Sequence, residues 1–228
     1  MSVTRKSLSL LGVLLACAAS IAPAQISPAV QVPLELANGW GPVKPPAGYK
    51  ALRIQGRSTA DLFVLARLFA DFAAHPAMFP RVVEGVDILA CDDSSLQARY
   101  RTVFDSRPGG KSMVESVTTV KVSVTQDRVA FIWSSDSVKS GFIKAARGQL
   151  MITTRRTADG TETLIDYVTA VRPKNAAKGL LVETQKPVLA SDAKYVVDQL
   201  AAAAKQPTAR ATAASPNSNL FNCSSVRP

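Results

Sequence analysis

Few side chains in this sequence of 228 residues have the type and spacing that catalysis needs. His75 is the one histidine, and a lone histidine directly before a proline is more often a turn residue than a general base. No serine or cysteine has an identifiable partner for nucleophilic catalysis. No His, Cys, Asp and Glu group has metal-ligand spacing, and the Gly109–Lys111 segment lacks the rest of a phosphate loop. We therefore predict no catalytic residue, no metal site and no cofactor.

The remaining polar candidates could orient a bound molecule rather than transform it. Tyr100, Tyr167 and Arg99 have groups that can hydrogen bond to a carbonyl or an acid. Asp166 falls on the polar face of a predicted strand, where we expect it to be solvated or paired with Arg155. An enzyme that works by shaping its substrate would need no more than this, but a binding protein is the favoured interpretation.

The net charge of the chain is +10, from 27 basic and 17 acidic residues. A basic protein can meet anionic membrane surfaces, nucleic acid or acidic ligands. Since no run of Lys and Arg marks a nucleic-acid patch, we expect no nucleic-acid partner. Peripheral contact with an anionic membrane surface remains an alternative. We expect the protein to be a monomer.

The first 24 residues have the pattern of an export signal. Arg5 and Lys6 precede an apolar stretch, and the Ala22–Ala24 segment fits a small-x-small cleavage site. This pattern predicts a periplasmic or secreted protein. The alternative is a lipoprotein anchored at Cys17, because Leu14 to Cys17 is similar to a lipidation box; such an anchored chain could be an envelope interaction module with a closed interior.

Two cysteines would remain after signal cleavage, Cys91 and Cys223. In an oxidising compartment an even pair can form a disulfide, which here would tie the end of the chain to the domain. The alternative is two free thiols. The sequence leaves both open.

The mature chain divides into three parts by composition. Residues 25–49 are rich in Pro, Gly and Ala and predict a linker or an extended arm. Residues 50–205 predict the folded domain. Residues 206–228 are rich in Pro, Thr, Ala, Ser and Asn and predict a mobile tail.

The folded part begins with a strand, a helix and a proline-containing corner. Ser58 with Asp61 three residues later has the pattern of a capping box, which predicts a helix from there to about Phe72. Pro76 and Pro80 then predict a bend, because each disfavours helix in the residue before it.

From Val82 to Pro173 the apolar residues mostly alternate, which predicts antiparallel strands. A two-residue turn at Gln126 and Asp127 predicts the pairs Val124–Val129, Val122–Phe131 and Val120–Trp133. A turn at Asp159 and Gly160 predicts the pairs Thr154–Ile165, Ile152–Tyr167 and Leu150–Thr169. Both registers put apolar side chains on one face of a sheet, which needs a cover. Helical patterns over 175–185 and from Pro187 to about 205 would supply it.

This order of elements resembles the START and polyketide-cyclase (SRPBCC) superfamily, including its coenzyme-Q-binding proteins. The residues that carry the resemblance are the corner Asp71-Phe72, His75-Pro76 and Phe79-Pro80-Arg81-Val82, within residues 50–205. The segment between Phe104 and Ser116 lacks the Arg-Asp pair of many relatives. The resemblance implies an α+β helix-grip fold, in which a curved antiparallel sheet of about six to seven strands wraps a long C-terminal helix.

A cavity between sheet and helix is what the resemblance implies for function. It would bind a lipid, an isoprenoid or an aromatic polyketide-like molecule, as a carrier or sensor in the cell envelope. The alternative is a cyclase or aromatase that uses the same cavity. The predicted ligand-binding residues, which could otherwise simply fill the core, are Met78, Phe79, Tyr100, Phe104, Phe131, Trp133, Ile152, Tyr167, Leu181, Leu189 and Val196.

Overall fold

The computed structural model describes residues 47–105, 110–158, 160–206, 220–221 and 223. The predicted signal segment with Cys17, most of the Pro-rich arm and most of the tail lie outside the described residues. Within the described part, no helix has the length and apolar character needed to cross a membrane.

Seven antiparallel strands form one sheet, in the spatial order β1-β7-β6-β5-β4-β3-β2. The first and last strands of the chain are neighbours, so β1 pairs with β7. This confirms the predicted α+β fold and its strand number. The strands are β1 Lys50–Ser58, β2 Val83–Cys91, β3 Ser95–Asp105, β4 Lys111–Val124, β5 Arg128–Lys139, β6 Ile143–Thr157 and β7 Gly160–Pro173.

The register predicted for the β4–β5 hairpin is the one that the structure has. Val124 lies opposite Val129, and the Val122–Phe131 and Val120–Trp133 pairs follow.

The β6–β7 hairpin differs from its predicted register by two residues. Ile152 pairs with Ile165, and Leu150 pairs with Tyr167. Gly160 belongs to β7 rather than to the turn, with a positive φ of 129° that a residue with a side chain rarely adopts. Since side chains alternate with a period of two, a shift of two residues leaves every side chain on its predicted face.

Within the described residues, four α-helices accompany the sheet, and a 3₁₀ turn lies at Phe72–Ala74. They are α1 Leu62–Ala70, α2 His75–Met78, α3 Ala176–Thr184 and α4 Lys186–Ala203. Pro187 lies in the first turn of α4, as predicted, because a first-turn residue needs no intrahelical N–H bond. The same rule explains how α2 accommodates Pro76, which lies in its first turn. The predicted bend begins earlier, because α1 ends at Ala70 and a 3₁₀ turn precedes α2.

The N-cap of α1 is Asp61, not the predicted Ser58. The Asp61 side chain accepts a hydrogen bond from the Phe63 N–H at 2.7 Å. Ser58 is still part of β1, and its hydroxyl accepts from the Ala60 N–H at 3.0 Å. The helix therefore begins three residues later than the capping-box pattern predicts, because Ser58 still belongs to β1.

Helices α1 and α4 cover the apolar face of the sheet. Leu65 of α1, Leu200 of α4 and Phe131 of β5 are fully buried in one cluster. Gly56 lets α4 approach β1 closely, because a Cβ atom at this position would lie 2.4 Å from Val197 Cγ1. The helix-grip arrangement follows from this packing.

Three residues of the segment predicted as a mobile tail dock on the domain. Cys223 forms a disulfide with Cys91 at the end of β2, which resolves the alternative that the sequence left open. Phe221 is 3% exposed, and its ring lies 5.9 Å from that of Phe72 and 6.3 Å from that of Phe131.

Asp166 is neither solvated nor paired with Arg155. It is buried, and it forms a two-point ion pair with Arg53 of β1, whose Nε donates to Oδ1 at 2.8 Å. The prediction was wrong because it considered only the β6 neighbour. Strand β1 lies on the other side of β7, and its Arg53 is two residues along the ladder from Gln55, the residue opposite Asp166. In the ladder, Arg155 lies opposite Glu162.

Candidate functional site: a cavity between the sheet and the C-terminal helix

An internal cavity of about 240 Å³ separates the apolar face of the sheet from α4. Its wall is formed by strands, by α4 and by the corner that follows α1. Most of the wall is apolar, and the apolar lining includes Leu52, Phe69, Phe72, Phe79, Val83, Val114, Val120, Trp133, Val171, Val182, Leu189 and Val196.

The structure brings many of the predicted site residues together in this wall: Phe79, Tyr100, Trp133, Tyr167, Leu189 and Val196. Phe131 and Ile152 are fully buried in the core cluster instead. Met78 is half-buried against the core and is not part of the wall. The side chains of Phe104 and Leu181 lie outside what the structure describes.

The position of the Trp133 ring leaves the cavity open. Trp133 lies opposite Gly148 in the β5–β6 ladder. A Cβ atom at Gly148 would lie 2.1 Å from Trp133 Cζ2, so only glycine lets the indole lie against β6. The ring lies 5.4 Å from that of Tyr167, tilted by 35°, and forms part of the cavity wall.

His75, predicted to be a surface turn residue, is buried in the cavity wall and is only 3% exposed. The rings of Phe72 and Phe79 lie 4.7 Å and 5.1 Å from the imidazole. Burial in these apolar surroundings lowers the pKa of His75 to about 4, so the ring is neutral at pH 7. One signal was available: His75 follows Phe69 and Phe72 at intervals of three, which continues the apolar stripe of α1.

Two hydrogen bonds hold the His75 ring. Nε2 lies 2.8 Å from the Phe69 carbonyl oxygen, and Nδ1 lies 2.9 Å from the Tyr100 hydroxyl. The corner and β3 are thereby joined inside the cavity.

Both tyrosines of the cavity are neutral at physiological pH. Burial raises the pKa of Tyr100 well above its usual value, and nearby Tyr167 adds to the shift. Burial, followed by the charge of Asp192, raises the pKa of Tyr167 to about 12. The interior next to them therefore presents hydroxyl groups rather than charges.

Three hydroxyl groups on β4 and β5 form a second polar feature of the wall. Thr118 Oγ1 lies 2.6 Å from Ser135 Oγ and 3.3 Å from Ser116 Oγ. A bulge in the β4–β5 ladder falls here, between Val117 and Thr119. The register at the turn end of the hairpin does not predict this row, because the bulge lies between the two.

An ion pair joins the proline corner to α4 at the edge of the cavity. Arg81 donates to Asp192 Oδ1 at 2.6 Å through Nη2, and to Ser191 Oγ at 2.8 Å. Its guanidinium also lies 4.8 Å from the centre of the Tyr195 ring. Asp192 is part of the cavity wall, whereas Arg99, the predicted orienting group, is exposed and outside it.

Among the described residues, no group of three His, Cys, Asp or Glu side chains is placed to hold a metal ion.

No family model and no curated protein matches the sequence. Solved structures do match the fold. The chain has the START-like helix-grip fold. An aromatase/cyclase from Streptomyces sp. R1128, Zhui, aligns with a TM-score of 0.56 at 12% identity, over 70% of this chain and 96% of its own.

Two START proteins align in the same way. A STAR-related lipid transfer protein from Xanthomonas axonopodis has a TM-score of 0.52 at 17% identity, over 74% of this chain and all of the solved fragment. A START superfamily protein from Mycobacterium smegmatis has a TM-score of 0.50 at 16% identity, over 68% of this chain and 97% of its own. At these identities the likeness establishes the fold, and function must be argued from the cavity.

Proposed function

We propose that this protein binds a hydrophobic small molecule in the cavity, as a carrier or sensor in the cell envelope. The observation that carries the proposal is the cavity of about 240 Å³ with mostly apolar walls and a few polar groups. Cavities of this composition suit apolar ligands, because burial removes their surface from water and the polar groups fix their orientation. The neutral tyrosines favour an uncharged group at that end of the ligand.

An envelope location is part of the same proposal. The export pattern of residues 1–24 motivates it, and the Cys91–Cys223 disulfide supports it, because such bonds persist in oxidising compartments. Fractionation of cells that express the full chain tests it. Protein retained in the cytoplasm would contradict it, and release from membranes by Cys17→Ala would favour the lipoprotein alternative.

The decisive experiment is the recovery of the native ligand. The protein is purified from its native envelope fraction without detergent, extracted with organic solvent and analysed by mass spectrometry. A lipid, isoprenoid or aromatic compound in stoichiometric amount supports the proposal. An empty protein that also fails to bind the neutral dye Nile red overturns it.

A cavity-filling substitution gives a direct prediction. Val196 of α4 lines the cavity, so Val196→Trp should fill it and weaken Nile red binding by at least about tenfold, measured by fluorescence titration. The matched control is Val124→Trp, since Val124 is 48% exposed and outside the wall. Equal binding by both variants would place the ligand elsewhere.

The cyclase or aromatase function is the second candidate, favoured by the His75–Tyr100 pair and Tyr167 in one cavity. A neutral histidine whose pKa is about 4 is a weak base, so this pair would orient a substrate more effectively than it would remove a proton. Once a substrate is known, Tyr167→Phe should lower its turnover if this candidate is correct. Unchanged turnover would exclude a catalytic role for Tyr167 and favour the binding function.

A further inference from the structure

The chemistry of the two His75 partners fixes which atom donates each hydrogen bond. The Phe69 carbonyl can only accept, so Nε2 of His75 must carry the hydrogen of the 2.8 Å contact. A neutral imidazole carries one N–H, which leaves Nδ1 as an acceptor. The Tyr100 hydroxyl, 2.9 Å from Nδ1, must therefore donate to it.

This assignment determines what Tyr100 offers to the cavity. A tyrosine hydroxyl has one hydrogen, and here His75 receives it. Tyr100 lines the cavity, and a ligand that reaches its oxygen meets lone pairs and no hydrogen to donate. Although it is a hydroxyl group, Tyr100 acts toward the cavity as an acceptor only, and His75 is the residue that positions it in this role.

Tyr167 complements this acceptor. It lines the same cavity, with its ring 5.4 Å from that of Trp133. In the part of the chain that the structure describes, the Tyr167 hydroxyl has no hydrogen-bond partner, so its hydrogen is available to a ligand. The hydroxyls of Ser116, Thr118 and Ser135 bond to one another, in contrast.

We propose that the cavity selects apolar molecules that carry a hydroxyl group, which donates its hydrogen to the Tyr100 oxygen. Tyr167 lines the same cavity, and its hydroxyl can donate to an oxygen of the ligand. A ketone, an ester or an ether could accept from Tyr167 but has no hydrogen to give, so it would leave the Tyr100 oxygen without a donor. The inference rests on the proposed function and names the ligand class within it.

The test compares two neutral probes that differ by one hydrogen-bond donor, β-naphthol and its methyl ether. Isothermal titration of the wild-type protein should give about tenfold tighter binding of β-naphthol, the equivalent of ~1.4 kcal/mol, since the ether cannot donate. Tyr100→Phe keeps the ring and removes the acceptor, so the two affinities should then agree within about twofold. The matched control, Tyr49→Phe, changes a tyrosine outside the wall and should keep the wild-type preference.

Nitrogen NMR of the imidazole tests the positioning role of His75 independently of binding. The chain has one histidine, so the spectrum reports His75 alone. We expect a protonated Nε2 and an unprotonated Nδ1 at neutral pH. The opposite tautomer or a charged ring would free the Tyr100 hydrogen and overturn the inference.

The binding outcomes separate the two proposals. Equal affinity for the two probes in the wild type, or a β-naphthol preference that survives in Tyr100→Phe, overturns the hydroxyl inference and leaves the cavity function standing. If neither probe binds and Nile red also fails, the proposed function itself is overturned.

Discussion

His75 stabilises the folded protein while its imidazole is neutral. Its folded pKa of about 4 lies below the usual 6.5, so between these values the unfolded chain binds a proton that the folded protein does not. The stabilisation is complete above pH 6.5 and decreases as the pH falls toward 4. The low pKa thus makes His75 a source of acid sensitivity as well as the positioning residue for Tyr100.

The predicted loss is up to ~3 kcal/mol of unfolding free energy between pH 6.5 and 4. Urea unfolding at several pH values measures it. His75→Gln retains a donor for the Phe69 carbonyl but does not titrate, so the variant should be less sensitive to acid than the wild type across this range. Parallel curves for the two proteins would show that His75 does not cause the pH dependence.

Individual residues were the hardest features to predict. Tyr100, Trp133 and Tyr167 were placed on the inner face from alternation alone. The burial of His75 depends on Tyr100, which is 25 positions away, and on a 3₁₀ turn that local sequence does not specify. Similarly, the ion pair of Asp166 became visible only when β1 was known to be its neighbour.

Among the structural elements, the Arg81–Asp192 pair is the contact most directly relevant to ligand exchange. It joins the proline corner to α4 where Asp192 lines the cavity. The Arg81 side chain is 46% exposed, so the pair can open without unfolding the core. Separation of the corner from α4 would be the shortest route to the interior at this edge.

Arg81→Gln should therefore accelerate ligand release with little effect on stability. We expect about a fivefold faster dissociation of Nile red, the equivalent of ~1 kcal/mol, measured by stopped-flow displacement. Lys194→Gln is the control, because it breaks an ion pair with Asp198 on the same helix away from the cavity wall. Equal release rates for both variants would exclude the corner as the route.

The two hairpins explain how far a register can be predicted. Alternation fixes which face a side chain occupies, but every even shift preserves the faces. The β4–β5 prediction was confirmed because its turn was placed correctly. The β6–β7 prediction failed by two residues because Gly160 was assigned to the turn, although its positive φ belongs to the start of the strand.

At the scale of the whole molecule, the Cys91–Cys223 disulfide links two residues that are 132 positions apart in the sequence. Such a bond lowers the conformational entropy of the unfolded chain. Replacement of both cysteines by serine should lower the unfolding free energy by ~2–5 kcal/mol, measured by urea denaturation. The wild type under reducing conditions should behave like the variant; unchanged stability in both cases would contradict a structural role.

The fold class was predictable from the order of elements, whereas the cavity was expected only from the family resemblance. The apolar periodicity that predicts strands and helices does not depend on the exact position of each side chain. The open space depends on one ring position, that of Trp133 against Gly148, which no periodicity encodes. The docking of Phe221 was equally hidden, because a single aromatic residue in a polar segment gives no pattern.

The pairing of β1 with β7 has a consequence for how the protein is made. Arg53 meets Asp166 across 113 positions, so the first strand has no sheet partner until the last strand has been synthesised. Closing so large a loop is slow, and during that time the edge of β1 is open to unwanted association. A chain kept unfolded until synthesis is complete, and released to fold all at once, would avoid this hazard.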